Sequence, residues 1–139
     1  MVVPPAVEDF LRAHTRTFLV TLREDGAPAC HPMVAIWRDG ALYMTTYRKS
    51  AKVAHLTCEP RVACLVVTAD DDPQFRGIAL RGRAEVLPAG TTMPGVEDRS
   101  AAPAVGADVS RRVATRVAEG KRIVVRVTVD DVRLVGEHG

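Results

Sequence analysis

The sequence predicts a mainly β protein with flanking helices, folded as a small antiparallel β-barrel that is closed or partly closed. Three observations carry this. Asp-Gly separates β-rich runs twice, at Asp25-Gly26 and Asp39-Gly40, and such a pair favours a tight hairpin because both central turn positions need positive φ. Second, the run Val62-Ala63-Cys64-Leu65-Val66-Val67 follows Glu59-Pro60 without a polar break, as in a strand covered on both faces. Third, the helical patterns are short and fall between strands, and the chain of 139 residues has the size of one domain but is short for a doubly wound dinucleotide fold.

The elements follow in order. Pro4 and Pro5 lead into a short amphipathic helix over residues 6–13, with Val7, Phe10 and Leu11 on one side, suited to cover one end of a sheet. Phe18 to Leu22 is a first strand, Pro28 to Trp37 a longer second and Ala41 to Tyr47 a third. A helix over residues 50–58, with Ser50 as its cap, is stopped by Glu59-Pro60. Arg61 to Thr68 is a fourth strand, and Phe75 to Val86 a fifth. Gly77 and Gly82 interrupt the fifth, which points to a bulge or a close approach by another backbone or a ligand. Residues 88–107 are rich in Pro, Gly and Ala and read as a surface loop, and Asp108 caps a helix through about Glu119. The sixth strand runs from Arg122 to Val129 and on through Val132 and Leu134. Side chains fill the interior of so small a barrel, so a ligand of cofactor size belongs on its outside, naturally between two copies.

One stretch runs against local helix preference. The helix at Ser50 begins after Thr45-Thr46-Tyr47-Arg48-Lys49, and its first turn holds Ala51 and Lys52. Free N–H groups and the positive end of the dipole favour acids at a helix start, by about 0.3–1 kcal/mol each. Here Arg48, Lys49 and Lys52 stand there instead, and two of the three lysines in the whole chain lie in this one turn. A solvated basic turn is the plain reading. A bound phosphate is the sharper one, because N–H donors, dipole and cations would converge on it.

Other classes are excluded or unsupported. Neither G-x-G-x-x-G nor G-x-x-x-x-G-K-[ST] occurs, so neither known glycine-rich loop explains the basic turn. A net charge of +2 and three Phe, two Tyr and one Trp leave no basic aromatic stripe for nucleic acid. No apolar run reaches the roughly 20 residues of a membrane span and no basic leader precedes one, so the expectation is a soluble cytoplasmic protein. Cys30, Cys58 and Cys64 form no C-x-x-C and read as buried free thiols in a reducing compartment. His55 and Cys58 are three apart, but further ligands at recognisable spacing are missing, so no metal is assigned.

The order and spacing of Phe18-Leu19-Val20-Thr21-Leu22-Arg23-Glu24-Asp25-Gly26-Ala27-Pro28, of Asp39-Gly40-Ala41-Leu42-Tyr43-Met44-Thr45-Thr46, and of Ser50-Ala51-Lys52-Val53-Ala54-His55-Leu56 with Glu59-Pro60-Arg61-Val62 resemble the flavin/deazaflavin oxidoreductase superfamily. This is the split β-barrel group of the pyridoxamine 5′-phosphate oxidases and their F420-using relatives. The resemblance covers about residues 8–88 and, more loosely, the final strand. It implies an FMN-binding split barrel and a homodimer with two cofactor sites at the subunit interface. It places His31, Pro32, Met33 and Val34 along the flavin or deazaflavin ring, largely through backbone groups. Thr45, Thr46, Ser50, Ala51 and Lys52 would hold the phosphate, with Arg48 and Lys49 beside them. FMN-binding oxidases usually carry Arg immediately before the Lys; here the residue is Ala51.

The terminal segment Val132-Arg133-Leu134-Val135-Gly136-Glu137-His138-Gly139 lacks the substrate-binding Arg and His of true pyridoxamine phosphate oxidases, which argues against vitamin B6 synthesis. Preference for Arg over Lys with abundant Ala and Val suggests a GC-rich genome of the actinobacterial kind, where F420 is used, and Arg48 and Lys49 suit the longer anion of F420. The expected function is hydride transfer between reduced F420 and a small unsaturated or oxidised substrate, with FMN as the alternative cofactor and a non-catalytic cofactor-binding protein as the alternative role. His31 is a candidate proton donor, and Trp37, Tyr47 and Phe75 are candidate pocket walls, but the sequence assigns no catalytic residue.

Overall fold

The computed structural model describes residues 2–93 and 121–136. Helix α1 spans Pro5–Ala13 and α2 spans Ala51–Cys58, and the strands are β1 (Arg16–Leu22), β2 (Pro28–Val34), β3 (Ile36–Arg38), β4 (Ala41–Tyr47), β5 (Arg61–Val67), β6 (Arg76–Val86) and β7 (Arg122–Gly136). The expected loop beyond residue 93 and the expected helix over about 108–119 lie outside the described residues; residues 88–93 carry neither helix nor strand.

All strands join one antiparallel sheet in the order β2-β1-β5-β6-β7-β4-β3. The expected long second strand is two. β2 pairs with β1 at one edge of the sheet, and β3 pairs with β4 at the other. Buried Ala35 is the break between them, with its N–H donated to the Thr15 carbonyl at 2.9 Å. The chain therefore steps from one edge of the curled sheet to the other within one residue, which draws the two edges together and leaves a partly closed barrel. Pattern alone shows a single run, because both halves are β-forming and only the curl separates their partners.

Inside the curl, alternate residues from β1, β4, β5, β6 and β7 make one core: Leu19, Leu42, Met44, Cys64, Val66, Ile78, Leu80, Val125 and Val127 are all buried. Among the described residues, the six-residue apolar run of β5 is only partly covered on its outer face. Val62, Cys64 and Val66 are buried, whereas Ala63 and Leu65 on the outer face are only half-buried. Phe18, Val20 and Leu22 flank them at the same depth on β1.

The turns divide. At Asp39-Gly40 both residues have positive φ, 50° and 79°, as the tight hairpin requires. At Asp25-Gly26 only Gly26 does, at 84°. There the Gly26 N–H reaches the Arg23 carbonyl and the Arg23 N–H the Ala27 carbonyl, each at 2.8 Å, so the connection is longer, with glycine alone in the left-handed region. The bulge expected at Gly82 is present. Register shifts between Arg81 and Gly82, leaving Asp130 unpaired on β7, and a Cβ on Gly82 would lie 1.9 Å from the Thr128 carbonyl oxygen. Glycine is required there by close approach of a neighbouring backbone.

The helices stop opposite ends of the curl. α1 buries Val7, Phe10 and Leu11 near the start of β6, where the Arg76 guanidinium lies 5.5 Å from the Phe10 ring. α2 buries only Leu56 and lies over the far end of β1, where His55 meets Thr21. Of the cysteines, Cys64 is buried in the core, which pushes its thiol up to about 12, but Cys30 and Cys58 are exposed. Cys30 points outward from edge strand β2 and Cys58 is the last residue of α2, so burial holds for one thiol of the three.

Candidate functional site

The site assembles around the start of α2. Ser50 occupies the cap position with extended backbone, but its hydroxyl makes no cap bond, and no acid stands in the first turn. Instead Ser50 Oγ lies 3.2 Å from Thr46 Oγ1. Among the described residues, the orphan N–H groups of the first turn therefore have no side-chain cap. Lys52 is half-buried, while Arg48, Lys49 and Ala51 are exposed around the same turn. The turn is pinned to β7 and to itself: the Arg48 N–H donates to the Lys121 carbonyl at 3.1 Å, and the Ser50 N–H to Tyr47 at 2.9 Å.

Strand alternation parts two expected partners. Thr45 and Thr46 are adjacent on β4, so their side chains leave opposite faces. Thr46 meets Ser50 at the helix start. Thr45 meets Arg122, whose Nε donates to Thr45 Oγ1 at 3.0 Å and whose Nη2 donates to the Thr45 carbonyl at 3.1 Å. The same guanidinium lies 4.7 Å from the Tyr47 ring centroid. Arg122 brings a further cation to the end of β4. Local pattern carries no sign of it, since its place depends on β7 pairing beside β4, with Arg122 opposite Tyr47.

On β2, exposure alternates. His31 and Met33 are half-buried and turned toward α2, while Pro32 and Val34 are exposed on the outer face. Buried Thr21 joins His31 to the helix: its Oγ1 lies 3.1 Å from His31 Nε2 and 3.0 Å from His55 Nδ1. The two rings are 6.2 Å apart between centroids. Burial, then the positive charge of Lys52, then His55 hold the His31 pKa below its usual range, so Lys52 and His31 sense one another. Thr21 and His55 were legible as residues of the resembling segments, but their meeting was not.

The candidate pocket walls scatter. Trp37 is a core residue whose Nε1 donates to Glu8 at 3.2 Å, Tyr47 carries Arg122, and Phe75 is 57% exposed near the start of β6. Chemically, the start of α2 offers undirected N–H donors, two hydroxyls and clustered cations. That donor set fits a phosphate and does not fit a neutral ligand.

The family model for pyridoxamine 5′-phosphate oxidase matches residues 3–136. The chain belongs to the pyridoxamine 5′-phosphate oxidase family. Within this split-barrel family it is similar to a conserved hypothetical protein of Mycobacterium tuberculosis, at 24% identity over 98% of this chain and 86% of that one, with a TM-score of 0.71. It is also similar to an F420 reductase, at 23% identity over 94% and 98% with a TM-score of 0.65. A heme storage protein of Vibrio cholerae shares the fold at 10% identity over 98% and 95%, with a TM-score of 0.69. None of the curated proteins matches the chain. No described helix is long and apolar enough to cross a membrane.

Proposed function

We propose that this protein binds F420 between two copies of itself and transfers a hydride between the reduced cofactor and a small unsaturated or oxidised organic substrate, within the cytoplasm. The observation that carries the reading is the uncapped start of α2, where Lys52, Arg48 and Lys49 gather about free N–H donors without one acid in the first turn. Membership of the oxidase family and likeness to an F420 reductase support it. Lys52, the Ser50 and Thr46 hydroxyls and the first-turn N–H groups hold the phosphate; Arg48 and Lys49 take the anionic tail beyond it. Backbone groups of His31, Pro32, Met33 and Val34 on the edge strand orient the ring. When bound, F420 supplies the hydride from its reduced ring.

The second copy covers the outer face of β1 and β5, where Phe18, Val20, Leu22, Ala63 and Leu65 form a continuous half-buried apolar surface. An open groove of about 420 Å³ runs beside it toward the bulge, between Val20, Ala63 and the Arg81–Asp131 ion pair. A face of this kind, apolar at its centre and charged at its edge, suits a self-complementary contact. Leu65→Asp leaves a folded monomer by sedimentation if this is the interface; an unchanged oligomer removes it.

The deciding experiment is fluorescence titration of the protein with F420 and, separately, with FMN. F420 binding followed by oxidation of reduced F420 with an added quinone or enoate establishes the enzyme. Binding without turnover makes the protein a cofactor carrier, and FMN binding alone transfers the site to the flavin. Failure of both removes the cofactor reading.

A further inference from the structure

We propose that His31, Thr21 and His55 form a one-proton unit of the anion site, loaded when an anion binds at the start of α2. The inference rests on the phosphate reading of that turn and adds a proton to it.

The argument begins with hydroxyl valence. Thr21 is fully buried, and its Oγ1 touches one nitrogen of each ring, at 3.1 and 3.0 Å. A hydroxyl has one hydrogen to donate. It donates to the bare nitrogen of one imidazole and accepts from the N–H of the other, so the two rings hold complementary tautomers. A first added proton goes to the far nitrogen of the ring that donates to Thr21, and both hydrogen bonds survive. A second must enter the contact itself. It would leave the Thr21 hydrogen buried without an acceptor and set two imidazolium rings 6.2 Å apart. The unit therefore stores one proton.

Location decides when that proton is held. Burial first, and then the positive charge of Lys52, disfavour charge on His31. His55 opens on its other side to a cavity of about 510 Å³ lined by Arg23, Glu24 and Asp25 from the β1–β2 connection and by Cys58 from α2. Among the described residues, the other strands against α2 add no further charge on this side: β4 presents Thr46, and on β6 Arg81, Arg83 and Glu85 face outward and are exposed. Glu59 at the end of α2 is engaged by Arg61. An anion beside Lys52 offsets the Lys52 share of the opposition to charge on His31. The pair then takes one proton from solvent, carried by His31, with the Thr21 hydroxyl donating to His55. Neither histidine is a catalytic residue in this account; Thr21 and His55 act through His31 as positioning residues.

The test uses the full chain labelled with ¹⁵N in its histidine rings, with F420 and FMN as probes, in wild type, Thr21→Val and Thr21→Ser. Without ligand, the ring shifts of wild type show complementary tautomers at His31 Nε2 and His55 Nδ1. Ligand then moves His31 toward the imidazolium shift, and the dissociation constant weakens by about three- to tenfold per unit of rising pH through neutrality, where one linked proton sets the tenfold limit. Thr21→Val, which keeps the shape and removes the hydroxyl, flattens this dependence and uncouples the rings; Thr21→Ser retains both. Titration of the ligand itself is common to all three proteins and cancels in the comparison. Binding with His31 shifts unmoved, or with the same pH dependence in Thr21→Val, overturns the proton unit and leaves the cofactor reading standing. No binding of either probe overturns both.

Discussion

The two helices stop opposite ends of one curled sheet, yet they are built by opposite rules. α1 begins with proline, places Glu8 in its first turn and Arg12 in its last, and buries Val7, Phe10 and Leu11. Its charges complement the helix dipole, and its exposed side carries the ion pairs Arg12–Glu8 and Arg12–Asp9. Neither helix has a side-chain cap bond, but α2 also has no acid in its first turn and buries one residue, Leu56. Beside Leu56, its own His55 meets the buried Thr21 hydroxyl and, through it, His31. α1 follows the charge and burial preferences of a helix because its task is to close a core. α2 departs from several at once, and such clustered departures mark sites where stability has been exchanged for binding.

That contrast can be broken in four places. The largest effect is expected from Leu11→Ala, which removes a fully buried side chain and should lower the unfolding free energy by about 3 kcal/mol in a urea titration, with cofactor affinity at saturating folded protein unchanged. Next, Lys52→Ala should weaken F420 binding by about 10- to 100-fold, as befits loss of a charge-assisted contact, without lowering stability; an equal loss of stability would make Lys52 a structural residue like those of α1. A smaller and opposite pair of effects is expected from Ala51→Glu. It supplies the first-turn acid that α2 lacks and should stabilise the protein by about 0.3–1 kcal/mol while weakening anion binding. Stabilisation with affinity intact would separate the helix start from the site.

The smallest effect concerns pH, and each end of the sheet contributes a histidine. Burial, then Arg76, holds the His14 pKa below its ordinary value at the end of α1, against Asp72; burial, then Lys52 and His55, does so for His31. Where the native pKa is lowered, the unfolded chain binds protons first as pH falls, so stability is full above about 6.5 and declines below it. The urea midpoint should therefore be lower at acid pH than at neutral pH. His14→Gln and His31→Gln should each remove part of that slope, and only the second should change the pH dependence of cofactor binding.

Much of this was open to the sequence. Asp39-Gly40 announced its hairpin and Gly82 its bulge, because both are answers to local backbone demands. The reversed charge at Arg48, Lys49 and Lys52 was likewise visible, since dipole and N–H donors belong to any helix start. The break at Ala35 was not, and neither were the exposed thiols Cys30 and Cys58. Which strand neighbours which, and which face turns inward, follows from the curl and not from the period.

The sequence by itself thus determined where strands, turns and helix ends fall, through φ preferences, side-chain periodicity and local charge. Only the tertiary structure decided that Thr46 meets Ser50 while Thr45 turns to Arg122, 77 positions away, and that one buried hydroxyl joins His31 to His55. Those meetings depend on how seven strands close on themselves, a property of all the long-range pairings together that no single segment carries.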